Sequence, residues 1–193
     1  MSYLSAIELI NASKEIGTIE PNVGKEFASF KFTIGGQKIA IKAVGVIGSE
    51  LKQSQFNSGK LQLTLDVSGD GVLLLAAEQL KKEIQQVLDY ECLPEFEVAV
   101  TSWIKNKIIW VSWPKKGDKY LPVTINGKSV SLSTPEYDQF EGDLKKIGNV
   151  DDKVEIGFNL YSWIRYGKDS DGKSTGKVTV GFSPQLEYIS YAK

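Results

Sequence analysis

Trp103-Ile-Lys105-Asn-Lys107-Ile-Ile-Trp110-Val-Ser-Trp113-Pro-Lys115-Lys116-Gly-Asp-Lys119-Tyr120 interleaves aromatic rings with lysines. Tyr161-Ser-Trp163-Ile-Arg165-Tyr166-Gly-Lys168 does the same with an arginine, and the two stretches hold all four tryptophans of the chain. Rings that stack on bases, beside cations that hold phosphates, are the chemistry of a single-stranded nucleic-acid groove. On that reading Trp103, Trp113, Tyr120, Tyr161 and Trp163 stack, and Lys105, Lys107, Lys115, Lys116, Lys119, Arg165 and Lys168 contact phosphates.

The second stretch closes a run that alternates from residue 153 to 166. Val154, Ile156, Phe158, Leu160 and Ile164 share a core face, which leaves Tyr161, Trp163 and Arg165 in a row on the opposite face. Alternate strand residues lie roughly 6.5–7 Å apart, a spacing that extended nucleotides can follow. Each stacked base would contribute on the order of 1–3 kcal/mol. The competing reading is a second packed layer, with Tyr161 and Trp163 under the helix or a loop. Residues 103 to 113, read as one strand, put Trp103, Lys105, Lys107, Ile109, Val111 and Trp113 on one face. Ile104, Ile108 and Trp110 fall on the other. The plain alternative there is a charged edge strand whose lysines block unwanted pairing.

Other chemistry is scarce. The 193 residues contain no histidine and one cysteine, Cys92, which removes His-based catalytic pairs, imidazole metal sites and a structural zinc site. Asp66, Asp70, Asp151 and Asp152 follow no recognised metal-loop spacing, and Asp169-Ser-Asp171 lacks the later glutamate of a calcium loop. Gly35-Gly-Gln-Lys38 lacks phosphate-loop spacing. No enzyme, metal or cofactor is expected.

The formal net charge is −1, with 41% apolar and 24% charged residues. Its distribution is uneven: six lysines and one acid lie between Thr101 and Thr134, and eight acids and two lysines between Asp66 and Glu97. Local charge governs a groove, so a near-neutral total is compatible with a polyanion partner. No apolar run approaches a membrane span. The first residues lack a basic leader, and one cysteine suits a reducing compartment. An intracellular protein, in the cytoplasm or a host replication compartment, is expected.

The elements that must position these residues follow from periodicity. Ser5 to Ile16 suits a short helix. Residues 26–34 and 38–47 form a hairpin about Gly35-Gly36, and Leu61 to Val67 alternates as a strand. Leu73, Ala76, Ala77, Leu80, Ile84, Val87 and Leu88 recur at three- and four-residue spacing, so residues 72–90 form the one long helix. Strands follow at 95–100, 103–113, 121–125 and 129–132, the last two joined by Asn126-Gly127. An acidic loop is expected at 135–152, then strands at 153–166, 176–182 and 185–191. Many short strands and one long helix predict a single mainly-β domain over residues 1–193, an OB-like barrel with elaborations.

The ending carries a resemblance. Asp151-Asp-Lys-Val-Glu-Ile-Gly-Phe-Asn-Leu-Tyr161-Ser-Trp163, a polar glycine-containing loop, Gly176-Lys-Val-Thr-Val-Gly-Phe182 and Gln185-Leu-Glu-Tyr-Ile-Ser-Tyr191 resemble the closing β-hairpin of a known group. These are the single-stranded DNA-binding proteins of short-tailed phages and large DNA viruses. The resemblance covers about the last fifth of the chain. It implies an OB-fold, a non-enzymatic role on single strands in replication or recombination, and replication proteins as further partners. It places Tyr161, Trp163 and Arg165 on the binding face. The alternative from another class is a β-rich structural or assembly protein whose aromatic patch meets another protein, since Trp, Tyr and Arg also dominate interface hot spots.

Overall fold

Strands β4 (Ala40–Gln53), β5 (Leu61–Asp66), β8 (Ile108–Ser112), β13 (Lys153–Lys168) and β14 (Ser174–Tyr191) form a ring. The computed structural model describes residues 3–19, 31–53, 61–91, 97–116, 119–130 and 150–191. Around the ring, β4 pairs with β5, β5 with β8, β8 with β14, β14 with β13, and β13 with β4. Every pairing is antiparallel except β8 with β14. This is an OB-type barrel, closed but weakly seamed. The β8–β14 seam is a single pair, Gln185 with Ser112, reinforced by the Ser112 hydroxyl donating to the Pro184 carbonyl at 3.1 Å.

The remaining strands decorate this ring. β1 (Ile16–Ile19), β2 (Lys31–Ile34) and β3 (Gln37–Lys38) make a small antiparallel sheet. β6 (Glu97–Val100) runs parallel to the start of β14, and β7 (Ile104–Lys105) pairs with β8. β9 (Lys115–Lys116) and β10 (Lys119–Tyr120) form a two-stranded hairpin. β11 (Val123–Ile125) pairs with β14 and with β12 (Lys128–Val130) through the Asn126-Gly127 turn.

Two helices pack on the barrel. In α1 (Ala6–Ala12), Ser5 and Glu8 form a reciprocal capping box. α2 (Gly71–Glu91) starts where the Asp70 carboxylate accepts from the Leu73 amide at 2.9 Å, an N-cap that satisfies an otherwise orphan donor. Of its predicted stripe, Leu73, Ala76, Ala77, Leu80, Ile84 and Leu88 are fully buried and Val87 is half-buried. Truncating one of the leucines would cost about 2–5 kcal/mol. No helix among the described residues is long and apolar enough to cross a membrane.

Three sequence expectations change. Residues 103–113 are not one strand: Asn106 and Lys107 both take positive φ (51° and 64°) and turn the chain into the β7–β8 hairpin. The two strands expected at 176–182 and 185–191 are one strand, β14. It continues through Pro184, whose missing donor is tolerated at this sparsely paired seam. The hairpin loop then shrinks to residues 169–173, tied by the Asp169 carboxylate accepting from the Lys173 amide at 2.8 Å. The expected start of a strand at residue 26, Cys92 and most of the acidic loop lie outside the described residues.

The outer face of β13 is shaped by side chains folding flat onto glycines across the ladder. The Tyr188 ring lies where a Cβ on Gly157 would stand, 1.9 Å from Cε1, and its hydroxyl donates to the Glu155 carboxylate at 2.8 Å. Burial, and then that hydrogen bond, push its phenol well above the ordinary range.

Candidate nucleic-acid interface

On the N-terminal side of Ser112 and Gln185, β8 and β14 no longer pair with each other but with β7 and β6 respectively, and a groove of about 290 Å³ lies at this parting. Trp110 and Ser112 form the β8 wall. Trp163, Phe182, Ser183 and Pro184 form the facing wall, with Trp103 and Lys105 between them. Gln62, the β5 partner of Ser112, adds to the polar lining together with Thr101 and Ser102. The groove thus presents two partly exposed indoles and an ammonium.

Trp163 is 37% exposed and Tyr161 38% exposed, side by side on the outer face of β13. The competing reading, a second packed layer over these rings, is therefore corrected for the described residues. The Trp163 indole folds over Gly181, its cross-strand partner on β14. A Cβ at that position would come within 2.1 Å of Cζ2. Only glycine lets the ring settle against the backbone. The Arg165 guanidinium lies 5.7 Å from the centroid of the same indole, within cation–π range.

Two of the expected stacking residues of the first stretch are core residues. Trp113 is fully enclosed, and its indole N–H donates to the Leu121 carbonyl at 2.7 Å. Tyr120 is buried, with the Lys115 ammonium 5.4 Å from its ring centroid. For Trp113 this follows from the β7–β8 turn, after which Ile109, Val111 and Trp113 face inward. Trp103, 5% exposed, packs its ring 5.4 Å from Phe158 and reaches the groove only as its floor. It too has no face free for a base.

The same turn exposes Trp110, 52% exposed, which the continuous-strand reading had set apart from the cations. The signal was available in Asn106, a residue that tolerates the left-handed conformation a tight hairpin needs.

The cations divide likewise. Lys105 lines the groove and Arg165 flanks it. Lys107 is exposed at the β7–β8 turn beside Asp66. There the Ser68 amide and hydroxyl hold the Asp66 carboxyl below its usual range, and Lys107 adds to the effect. Lys115 and Lys116 belong to the β9–β10 hairpin, and Lys168 to the far end of β13. None of the three lines the groove. The side chain of Lys119 lies outside the described residues.

No family model matches this sequence, and no curated protein matches it. Among solved structures, the chain is similar to three forms of the single-stranded DNA-binding protein from bacteriophage Enc34. The C-terminally truncated form is 12% identical, with 94% of this chain and 96% of that chain covered and a TM-score of 0.42. The form in complex with single-stranded DNA is 13% identical, covering 90% and 94%, with a TM-score of 0.43. A third structure is 13% identical, covering 92% and 90%, with a TM-score of 0.45. Scores this low describe an approximate chain path and carry no residue-to-residue correspondence.

Proposed function

We propose that the protein binds single-stranded DNA without sequence preference, holding strands open during viral or phage replication or recombination, and performs no catalysis itself. The observation that supports this most is the joint lining of one groove by Trp110, Trp163 and Lys105, with Tyr161 and Arg165 continuing outward along β13. Exposed indoles give sequence-tolerant stacking, because every base offers a π-face. The cations supply the phosphate contribution, which is steeply salt-dependent.

Fluorescence anisotropy of a labelled oligothymidylate about thirty nucleotides long should report binding whose log affinity falls linearly with log salt. Neutralising three to five phosphates would give a slope of about −2 to −3.5. An aromatic protein–protein surface would instead tolerate salt and leave the oligonucleotide free at micromolar protein. That result would favour the structural or assembly role.

Gly181→Ala tests the seat of Trp163 separately. The added methyl cannot coexist with the indole in its present place, so the ring must tilt away. Affinity should fall by roughly fivefold, about 1 kcal/mol of one stacked base, with the melting temperature little changed. Unaltered affinity would show that the ring's exact pose is immaterial.

A further inference from the structure

The β2–β3 hairpin stands beside the outer face of β13, and its placement is set by register. Along the β4–β13 ladder Gly157 faces Lys42 and Asn159 faces Ala40. The Leu160 amide then donates to the Ile39 carbonyl at 2.9 Å, so the same register carries Lys38 opposite Tyr161. The Lys38 ammonium lies 5.7 Å from the Tyr161 ring centroid, and the residue is exposed. Phe32, on β2, packs 5.8 Å from Phe182, a wall residue of the groove. The hairpin is thereby anchored to the same wall that carries Trp163.

Trp163 with Arg165 and Tyr161 with Lys38 are then two copies of one arrangement: an exposed ring with a cation at 5.7 Å. Each is suited to one nucleotide, the ring for its base and the cation for its phosphate. We propose that Lys38 is a phosphate-binding residue, and that the track runs from Lys105 and Trp110 across Trp163 and Tyr161 to the β2–β3 hairpin. This rests on the strand-binding reading above. In the free protein the ammonium rests on the tyrosine face that a base would take. A base arriving there displaces it, and the flexible four-carbon stem lets it move to the adjoining phosphodiester. The contact exchanged is a weak, exposed cation–π pair for a charge-assisted one.

The test compares wild type with Lys38→Ala, Lys38→Arg and Trp163→Ala, measuring oligothymidylate anisotropy across a salt series and the thermal melting of each variant. Lys38→Ala should bind roughly two- to fivefold more weakly at low salt, with a salt slope shallower by about 0.7. Lys38→Arg should restore the slope, which a merely structural loss at this position would not show. If Trp163→Ala weakens binding while Lys38→Ala leaves affinity and slope unchanged, the groove stands and Lys38 is not part of the track. If neither variant alters binding, or wild type does not bind, the strand-binding reading fails first and the extension with it.

Discussion

Trp163→Ala is expected to weaken oligothymidylate binding by roughly ten- to a hundredfold, with the fold intact. Removing one stacking ring forfeits about 1–3 kcal/mol per base, and a factor of ten corresponds to 1.4 kcal/mol. The fold should survive because the indole is partly exposed and rests on Gly181 at the barrel surface. Arg165 also loses the ring beneath it, so the substitution removes both members' arrangement at once. Trp110→Ala, across the groove, should act in the same direction. Equilibrium anisotropy together with thermal melting separates the outcomes. Wild-type affinity in a stably folded Trp163→Ala protein would remove this residue from the site.

Trp113→Ala is expected to do the reverse, costing stability of about 3–5 kcal/mol, the range for truncating a fully buried large aromatic. Its indole is wholly enclosed, and its N–H satisfies the Leu121 carbonyl at 2.7 Å. The substitution therefore leaves both a large cavity and an acceptor short of its donor. For a domain of ordinary marginal stability that is a large fraction of the total. Urea denaturation should show a lower midpoint with the slope preserved. Should Trp113→Ala melt like wild type yet fail to bind the oligonucleotide, the placement of this ring in the core would be wrong.

The contrast between Trp113 and Trp163 shows where sequence patterning suffices and where it stops. In β13 the alternation of Val154, Ile156, Phe158, Leu160 and Ile164 sets Tyr161, Trp163 and Arg165 on the outer face, where the structure has them exposed, although Asn159 on the same face is buried. The stripe of α2 was as clear, because six buried positions repeat at helical spacing. Around Trp103 the same alternation misled. A two-residue turn at Asn106-Lys107 interrupts the run, and every assignment after it changes sides. Trp113 went inward and Trp110 outward.

Lys38 was legible only as a hairpin residue, since its position opposite Tyr161 depends on pairing between segments more than a hundred residues apart. Gly181 is a similar case. Nothing local distinguishes it from a weak strand residue until Trp163 is found lying on it. Ring closure is the least legible feature of all, because a single β8–β14 pair and the bond from Ser112 to Pro184 define the seam. That seam is what opens the groove.

Tryptophan quenching on saturation with oligothymidylate tests the central claim most directly, comparing wild type with the Trp110→Phe/Trp163→Phe double variant. The two remaining tryptophans, Trp103 and Trp113, are buried in the core and should report little contact with bases. The predicted result is strong quenching in wild type and its near-complete loss in the double variant, with the phenylalanines retaining part of the affinity. Quenching of equal depth in both proteins would place the bases elsewhere and contradict the assignment of this groove.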